Sequence, residues 1–292
     1  MSMQSFENKK ALKLIITLGT GNFGSSDKNT IVFQGFRTSV SIENAGFNQT
    51  STLTASIYGV SQNNINSIYT VQWQDADYIP NRIQVIAIDG IKETIVFEGN
   101  IVNAWGVYES MPNVFLYIKA ITSYAEQIKQ INPRSHLGPV DVVSVMKEIA
   151  REIKYNVENN GVDVKLSSIY LFGSGLDQAR DLAKQADIQL DVEDKLLILR
   201  PNSITPRDSK VPIISKISGM IGVPVYDGYG VTVKTFFNPD IVFRGSIIVN
   251  SIVPKANKRW LVSLLSHSLE SETPNGAWSS TIRGTYDGLA IR

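Results

Sequence analysis

Thr52-Leu53-Thr54-Ala55-Ser56-Ile57-Tyr58 alternates small polar and apolar side chains, so Leu53, Ala55 and Ile57 share one face of an extended strand. The same period continues on both sides. Ala11-Leu-Lys-Leu-Ile-Ile-Thr-Leu18 reads as a strand, and Thr30 to Glu43 resumes the pattern, with Val40 and Ile42 alternating. Downstream, Arg82 to Ile88 is a strand that ends on the turn pair Asp89-Gly90. Thr94–Val107 and Val114–Thr122 follow, split by Met111-Pro112-Asn113. Between Tyr58 and Arg82, Ser61 can cap a short helix whose Ile65, Ile68 and Tyr69 recur at helical spacing. The first 124 residues are therefore nearly all β. Their strand spacing of about 8–12 residues suits a barrel or a sandwich.

The period changes after Tyr124. Val142, Val145, Met146, Ile149, Ala150 and Ile153 form a helical stripe, with Lys147, Glu148, Arg151 and Glu152 opposite. Ser174 can cap a second helix, which turns Leu176, Ala179, Leu182, Ala183 and Ala186 inward. Ile188, Leu190 and Val192 alternate, Glu193-Asp194 turns, and Leu196–Leu199 returns as a hairpin. Pro201 and Pro206 mark the exit. Residues 211–292 are β again: Val231–Phe236, Ile247–Val253, Arg259–Leu265 and Trp278–Gly284 read as strands. Gly219, Gly222, Gly228 and Gly230 mark turns or bulges. The two β ends resemble each other in strand number and turn style, without a short sequence repeat.

Composition narrows the functional classes. Apolar residues make up 43% of the 292, enough for packed cores, while charged residues are only 19%, so Asn, Gln, Ser and Thr must cover much of the surface. Lys plus Arg (28) balances Asp plus Glu (27), leaving +1, without the basic excess of a phosphate-gripping protein. The absence of cysteine removes disulfides, thiolate nucleophiles and Cys-based metal sites. The start, Met1 to Lys10, lacks the apolar core of a secretory signal, and no run of about eighteen apolar residues predicts a membrane span.

Each candidate for chemistry has a structural reading beside it. Gly19-Thr-Gly-Asn-Phe-Gly24 matches the Gly-x-Gly-x-x-Gly dinucleotide pattern, but the residues after it lead into a strand instead of a helix, which predicts a hairpin loop. His136 lies in a loop and His267 on a strand surface, with no spacing between them that would hold zinc. Gly173-Ser174-Gly175 is a helix cap and not a nucleophile elbow. Asp75/Asp77 and Glu270/Glu272, each two apart on a strand, have the spacing of carboxylate pairs and equally of a solvated strand face. Trp73, Trp105, Trp260 and Trp278 read as core or interface anchors. No catalytic, cofactor or metal residue is expected.

Three stretches carry a family resemblance. The first is Leu53 to Ile68, together with Phe97-Glu-Gly-Asn-Ile101. The second is Gly175 to Leu199, a Leu/Ala helix and a hairpin. The third is Val231 to Gly245, with Asn238-Pro-Asp-Ile241, followed by Trp278-Ser-Ser-Thr-Ile-Arg-Gly284. In this order they resemble the central tail-hub proteins of bacteriophage baseplates, related to the hub segment of type VI secretion spikes. Glu270 to Gly276 departs from that pattern, where a Gly-Asp turn is usual.

The resemblance implies a mainly β fold with an α+β middle. Two tail-tube-like β-barrels, residues 1–124 and 203–292, would flank a small α/β domain, residues 125–202. It also implies a structural virion protein, a homotrimeric pseudo-sixfold ring that adapts a sixfold tail tube to a threefold spike. Its partners would be the tail tube protein, the spike and the tape-measure protein, with DNA passing through the lumen unbound. Assembly in the host cytoplasm without a signal peptide, no membrane insertion by this chain and residence in the virion tail follow from it. A tail-associated wall hydrolase and a carbohydrate-binding β module of a tail fibre are the alternatives.

Overall fold

The structure is a computed structural model, which describes residues 10–24, 27–45, 50–70, 79–109, 111–193, 195–201, 210–228 and 230–285. Strands dominate it, so the mainly β expectation holds. The chain divides into two compact units. Residues 1–45, 51–121 and 206–291 make one, and residues 46–50 with 122–205 make nearly all of the other.

The first unit begins with β1 (Lys10–Thr17), β2 (Thr30–Gln34), β3 (Thr38–Ala45) and β4 (Thr52–Tyr58). After helix α1 (Gln62–Ile68) come β5 (Arg82–Asp89), β6 (Lys92–Val107) and β7 (Phe115–Ile121). Ser61 caps α1 through the Asn64 amide, as its position suggests. The core face follows the alternation: Leu53, Ala55 and Ile57 on β4 and Leu116, Ile118 and Ala120 on β7 are fully buried. Each large aliphatic side chain hidden in this way contributes about 1.5–3 kcal/mol.

The second unit holds α2 (Tyr124–Ile128), β8 (Arg134–His136), β9 (Val140–Asp141), α3 (Val142–Ile153) and β10 (Asn156–Asn159). It continues with β11 (Lys165–Leu166), β12 (Ile169–Leu171), α4 (Gly175–Gln185), β13 (Ile188–Glu193) and β14 (Leu196–Pro201). The sheet order is β10-β14-β13, with β10 parallel and β13 antiparallel to β14. Val145, Met146 and Ile149 of α3 share a core with Leu176, Ala179 and Leu182 of α4 and Leu190, Leu197 and Leu199 of the sheet. Asp141 starts α3 by accepting from the Ser144 amide (2.9 Å) and hydroxyl (2.7 Å). The Ser144 hydroxyl, foremost, holds the Asp141 carboxyl below its ordinary pKa. Lys154, in the left-handed region at φ 61°, ends the helix.

The chain then returns to the first unit with β15 (Ile213–Ser215), β16 (Met220–Asp227), β17 (Gly230–Phe236), β18 (Ser246–Asn250), β19 (Arg259–Ser271) and β20 (Trp278–Thr285). Both chain ends enter one sheet of order β16-β17-β20-β19-β3-β4-β7-β6-β5-β1-β2, with β18 and β15 branching from β19. The joint is β19 against β3, antiparallel from Leu264↔Ala45 to Ser271↔Thr38. Among the described residues this sheet stays open: β16 and β2 end its path, and no barrel closes within one chain.

Two four-strand blocks repeat within the sheet. β3-β4-β7-β6 and β16-β17-β20-β19 share one spatial order and one chain order, first, second, fourth, third. The third strand of each block, which lies last in space, carries an irregularity at the same place, between Ile101 and Asn103 in β6 and between Val262 and Leu264 in β19. Both also give their first halves to an additional antiparallel strand, β5 for β6 and β18 for β19. The likeness of the two ends suggested by strand number is thus a topological repeat.

Candidate functional site

The sheet has one apolar and one polar face, because each strand alternates. On the polar side, residues in register line up across strands. One row runs Ser268, Ser41, Thr54, Lys119, Asn103 through β19, β3, β4, β7 and β6. The next runs Glu270, Ser39, Ser56, Tyr117, Trp105. This face crosses the joint between the chain ends without a break. It consists mostly of short hydroxyl and amide side chains, with the isolated charges of Glu43, Lys119 and Glu270. It offers hydrogen-bonding groups in every direction and no concentrated charge.

The sequence candidates fall around this face or beneath it. Gly19–Gly24 lies in the β1–β2 connection, where the amides of Leu18 and Phe23 bond the carbonyls of Asn29 and Lys28. The Gly19 amide donates to Asn81 Oδ1 (3.0 Å), and a Cβ on Gly19 would collide with the Ile79 carbonyl. The motif is a hairpin connection, and its first glycine is required by close backbone approach. Among the described residues the motif leads from β1 into β2 and not into a helix, so the strand-to-helix phosphate cradle of a nucleotide site is not formed there.

His267 is not on the strand surface. It is buried among the core side chains, with Nδ1 and Ser280 Oγ 2.8 Å apart and its ring edge-on to Phe237 at 5.2 Å. Burial pushes its pKa down to about 4, so it is neutral near pH 7. His136 ends β8 in the other unit, paired with Ile169. Among the described residues no three His, Asp or Glu side chains gather as a metal would require.

Glu270 and Glu272 do not form a pair. Glu270 accepts from the Ala277 amide at 3.0 Å and from Ser39 Oγ at 3.4 Å, which fixes the loop to β20. Glu272 lies past the end of β19 at φ 52° and leaves the strand direction. Asp75, Asp77 and Trp73 lie outside the described residues.

Trp260 and Trp278 are core anchors. Both are buried, and Trp260 Nε1 donates to the Ala256 carbonyl at 2.8 Å. Trp105 differs: it is over a third exposed on the polar face and packs at a tilt of 36° against Tyr117, ring centroids 4.4 Å apart. The sequence did not single out the exposed Tyr170 and Phe172, stacked at 5.9 Å, although their spacing of two places them on one side of β12, opposite buried Ile169 and Leu171.

Ser174 caps α4 in a reciprocal box with Asp177, each side chain bonding the other's backbone amide at 3.2 Å. Next to it, fully buried Gln178 donates to the carbonyls of Asn132 and Gly173 and accepts from Arg134, which also pairs with Glu152. Ser174→Ala is expected to destabilise this unit by about 1 kcal/mol. The loss should appear as faster amide exchange across the first turn of α4, with no change in β3 or β19.

The sequence matches a family model described as "Baseplate hub gp41" over residues 12–278. No curated protein matches it significantly. Similar solved structures include the tail protein from Neisseria meningitidis MC58, with TM-score 0.67 and 10% identity, covering 97% of this chain and 98% of that one. The tail protein of prophage MuSo2 from Shewanella oneidensis gives 0.63 at 9% identity, covering 96% and 100%. The E. coli c3393 protein, a component of the type VI secretion system, gives 0.58 at 8% identity, covering 88% and 77%. At such identities the likeness is one of fold.

Proposed function

The chain belongs to the baseplate hub gp41 family, and from that premise we propose that three copies form a ring joining a sixfold tail tube to a threefold spike. Membership makes it a structural component of the phage tail. The observation that carries the ring reading is the repeated strand block. Two like blocks per chain supply six ring positions from three chains, and head-to-tail contacts close when the rotation permits.

In this reading each barrel wall is completed between copies, which accords with a sheet that stays open among the described residues of one chain. Residues 1–124 and 203–292 provide the two ring positions, and residues 125–202 are a separate middle domain. The polar face lines the conduit. Its Ser, Thr and Asn side chains, with single charges of both signs, give DNA phosphates nothing to grip strongly. Tail tube protein, spike and tape-measure protein are the partners, in a virion tail assembled in the host cytoplasm. The role is mechanical, with no catalytic step.

Sedimentation or native mass measurement of the full chain, alone at high concentration and with tail tube protein, tests this. Three chain masses and ring-shaped particles are expected. A chain that remains monomeric and never joins the tube would overturn it. Cell-wall hydrolysis in a zymogram, or glycan binding by the monomer, would replace it with the hydrolase or the carbohydrate module.

A further inference from the structure

The joint between the chain ends exists in two unmatched halves at the ends of the repeat. In β19, the half beyond its irregularity pairs with β3. In β6, the corresponding half pairs with β7 on one side and with no strand on the other among the described residues. On that open side Thr70 bonds the N–H and C=O of Ala104. Strand alternation turns the N–H and C=O of Gly106 and Tyr108 toward the same side. At the opposite end β16, which holds the place of β3, pairs with β17 alone among the described residues.

We propose that β6 of one copy and β16 of the next form the joint that β19 and β3 form within each chain. This rests on the ring reading above and specifies its contact. The occupant of both edges is a second copy, because the chain already contains a worked example of the pairing. The directions agree: counted along the antiparallel path, β6 and β16 run oppositely, as β19 and β3 do.

The irregularities fix the register. Counting from them, Gly106 takes the place of His267 and Val107 that of Ser268. Carried across the paired strands, Tyr226 takes the place of Ile42, Val225 that of Ser41 and Pro224 that of Val40. His267↔Ile42 and Ser268↔Ser41 therefore become Gly106↔Tyr226 and Val107↔Val225 between copies.

The side chains suit this exchange. Val225 is 62% and Tyr226 43% exposed, whereas Ile42 is wholly buried. An exposed apolar edge strand is a hazard until it is covered. Gly106 has no side chain of its own, but the Tyr108 ring lies over it with its hydroxyl bonded to Gln62, so Tyr108 must swing aside to let Tyr226 pack there. The ladder is short, because Thr70 holds Ala104 and Pro224 has no N–H to give. A short ladder predicts a joint that is weak in dilute solution and firm in the assembled tail.

Val107 and Val225 fall at a non-hydrogen-bonded position, where Cα atoms lie about 4.5 Å apart, within the disulfide range of roughly 4.4–6.8 Å. The natural chain has no cysteine to confuse the result. The full chain carrying Val107→Cys and Val225→Cys, oxidised in the assembled state, should give a covalent closed ring on a non-reducing gel. A mixture of the two single variants should give dimers only. Val107→Cys with Tyr226→Cys, on opposite faces, should stay unlinked, and reduced variants that melt like the natural chain exclude misfolding.

If Val225→Cys alone links copies, β16 pairs with itself about a twofold axis and the head-to-tail joint is wrong. An oligomer of ring mass that never links overturns this joint and leaves the ring standing. A monomer in every condition overturns both.

Discussion

Ile42→Ala should loosen both ends of the chain at once, lowering the stability of the sheet unit by about 2–5 kcal/mol. Ile42 is fully buried at the middle of β3, with Leu53 of β4 on one side and His267 of β19 on the other. Truncation removes apolar contact and leaves a cavity that the crossing strands cannot collapse to fill, since both are held by further neighbours. Because β3 and β19 join segments more than two hundred residues apart, the loss should spread through both blocks. Segment-resolved amide exchange should show β4 and β7 and also β17 and β20 opening faster together, with α3 and α4 unmoved. Faster exchange confined to β1–β7 would mean that the two ends are independent domains, and the single cooperative sheet would be wrong.

Local alternation was legible in the sequence, and pairing at a distance was not. Thr52–Tyr58 is a strand over the residues its pattern marks, and the Asp141-to-Ile153 and Ser174-to-Gln185 segments are helices capped by the polar residues that begin them. In these cases the decisive forces lie within a few residues. The strand β16 itself carries no clear period, since Gly219, Gly222 and Gly228 read as turns or bulges; Gly222, at φ 74°, does lie within an irregularity, and Pro224 is tolerated on an edge. The small strands β8, β9, β11 and β12 leave no mark because two- and three-residue ladders carry no period, and the four residues of β10 are mostly polar.

The β19–β3 joint left no local mark at all. Its polar side carries Ser266 and Ser268 against Glu43 and Ser41, a composition that any solvated strand shares. Only the order of strands in space reveals that the two ends repeat one block. The polar face follows from that same order, since Ser, Thr and Asn residues from distant segments become one surface only when the strands lie side by side.

His267 shows a signal that was present and misread. Leu265 and Leu269 flank it at spacings of two, which puts all three on one face, and that face is the core. Its charge state should now govern acid stability. The unfolded chain takes up this proton near 6.5, while the folded chain resists to about 4 because burial penalises the imidazolium. Stability is therefore complete above about 6.5 and is lost as pH falls toward 4, since the unfolded state binds the proton first. The side chains placed against the ring are Ser280 and Phe237, and neither can neutralise an imidazolium. The loss expected by pH 4.5 is on the order of 2–3 kcal/mol.

His267→Gln keeps a polar partner for Ser280 and cannot titrate. Urea midpoints of the two proteins, compared at pH 7.5 and pH 4.5, cancel the carboxylates common to both, Asp141 among them. The variant should start no more stable than the natural chain and should gain on it as the pH falls. Parallel decline of both proteins would show that the folded sheet accepts the proton on His267 at no cost, and the burial argument would fail.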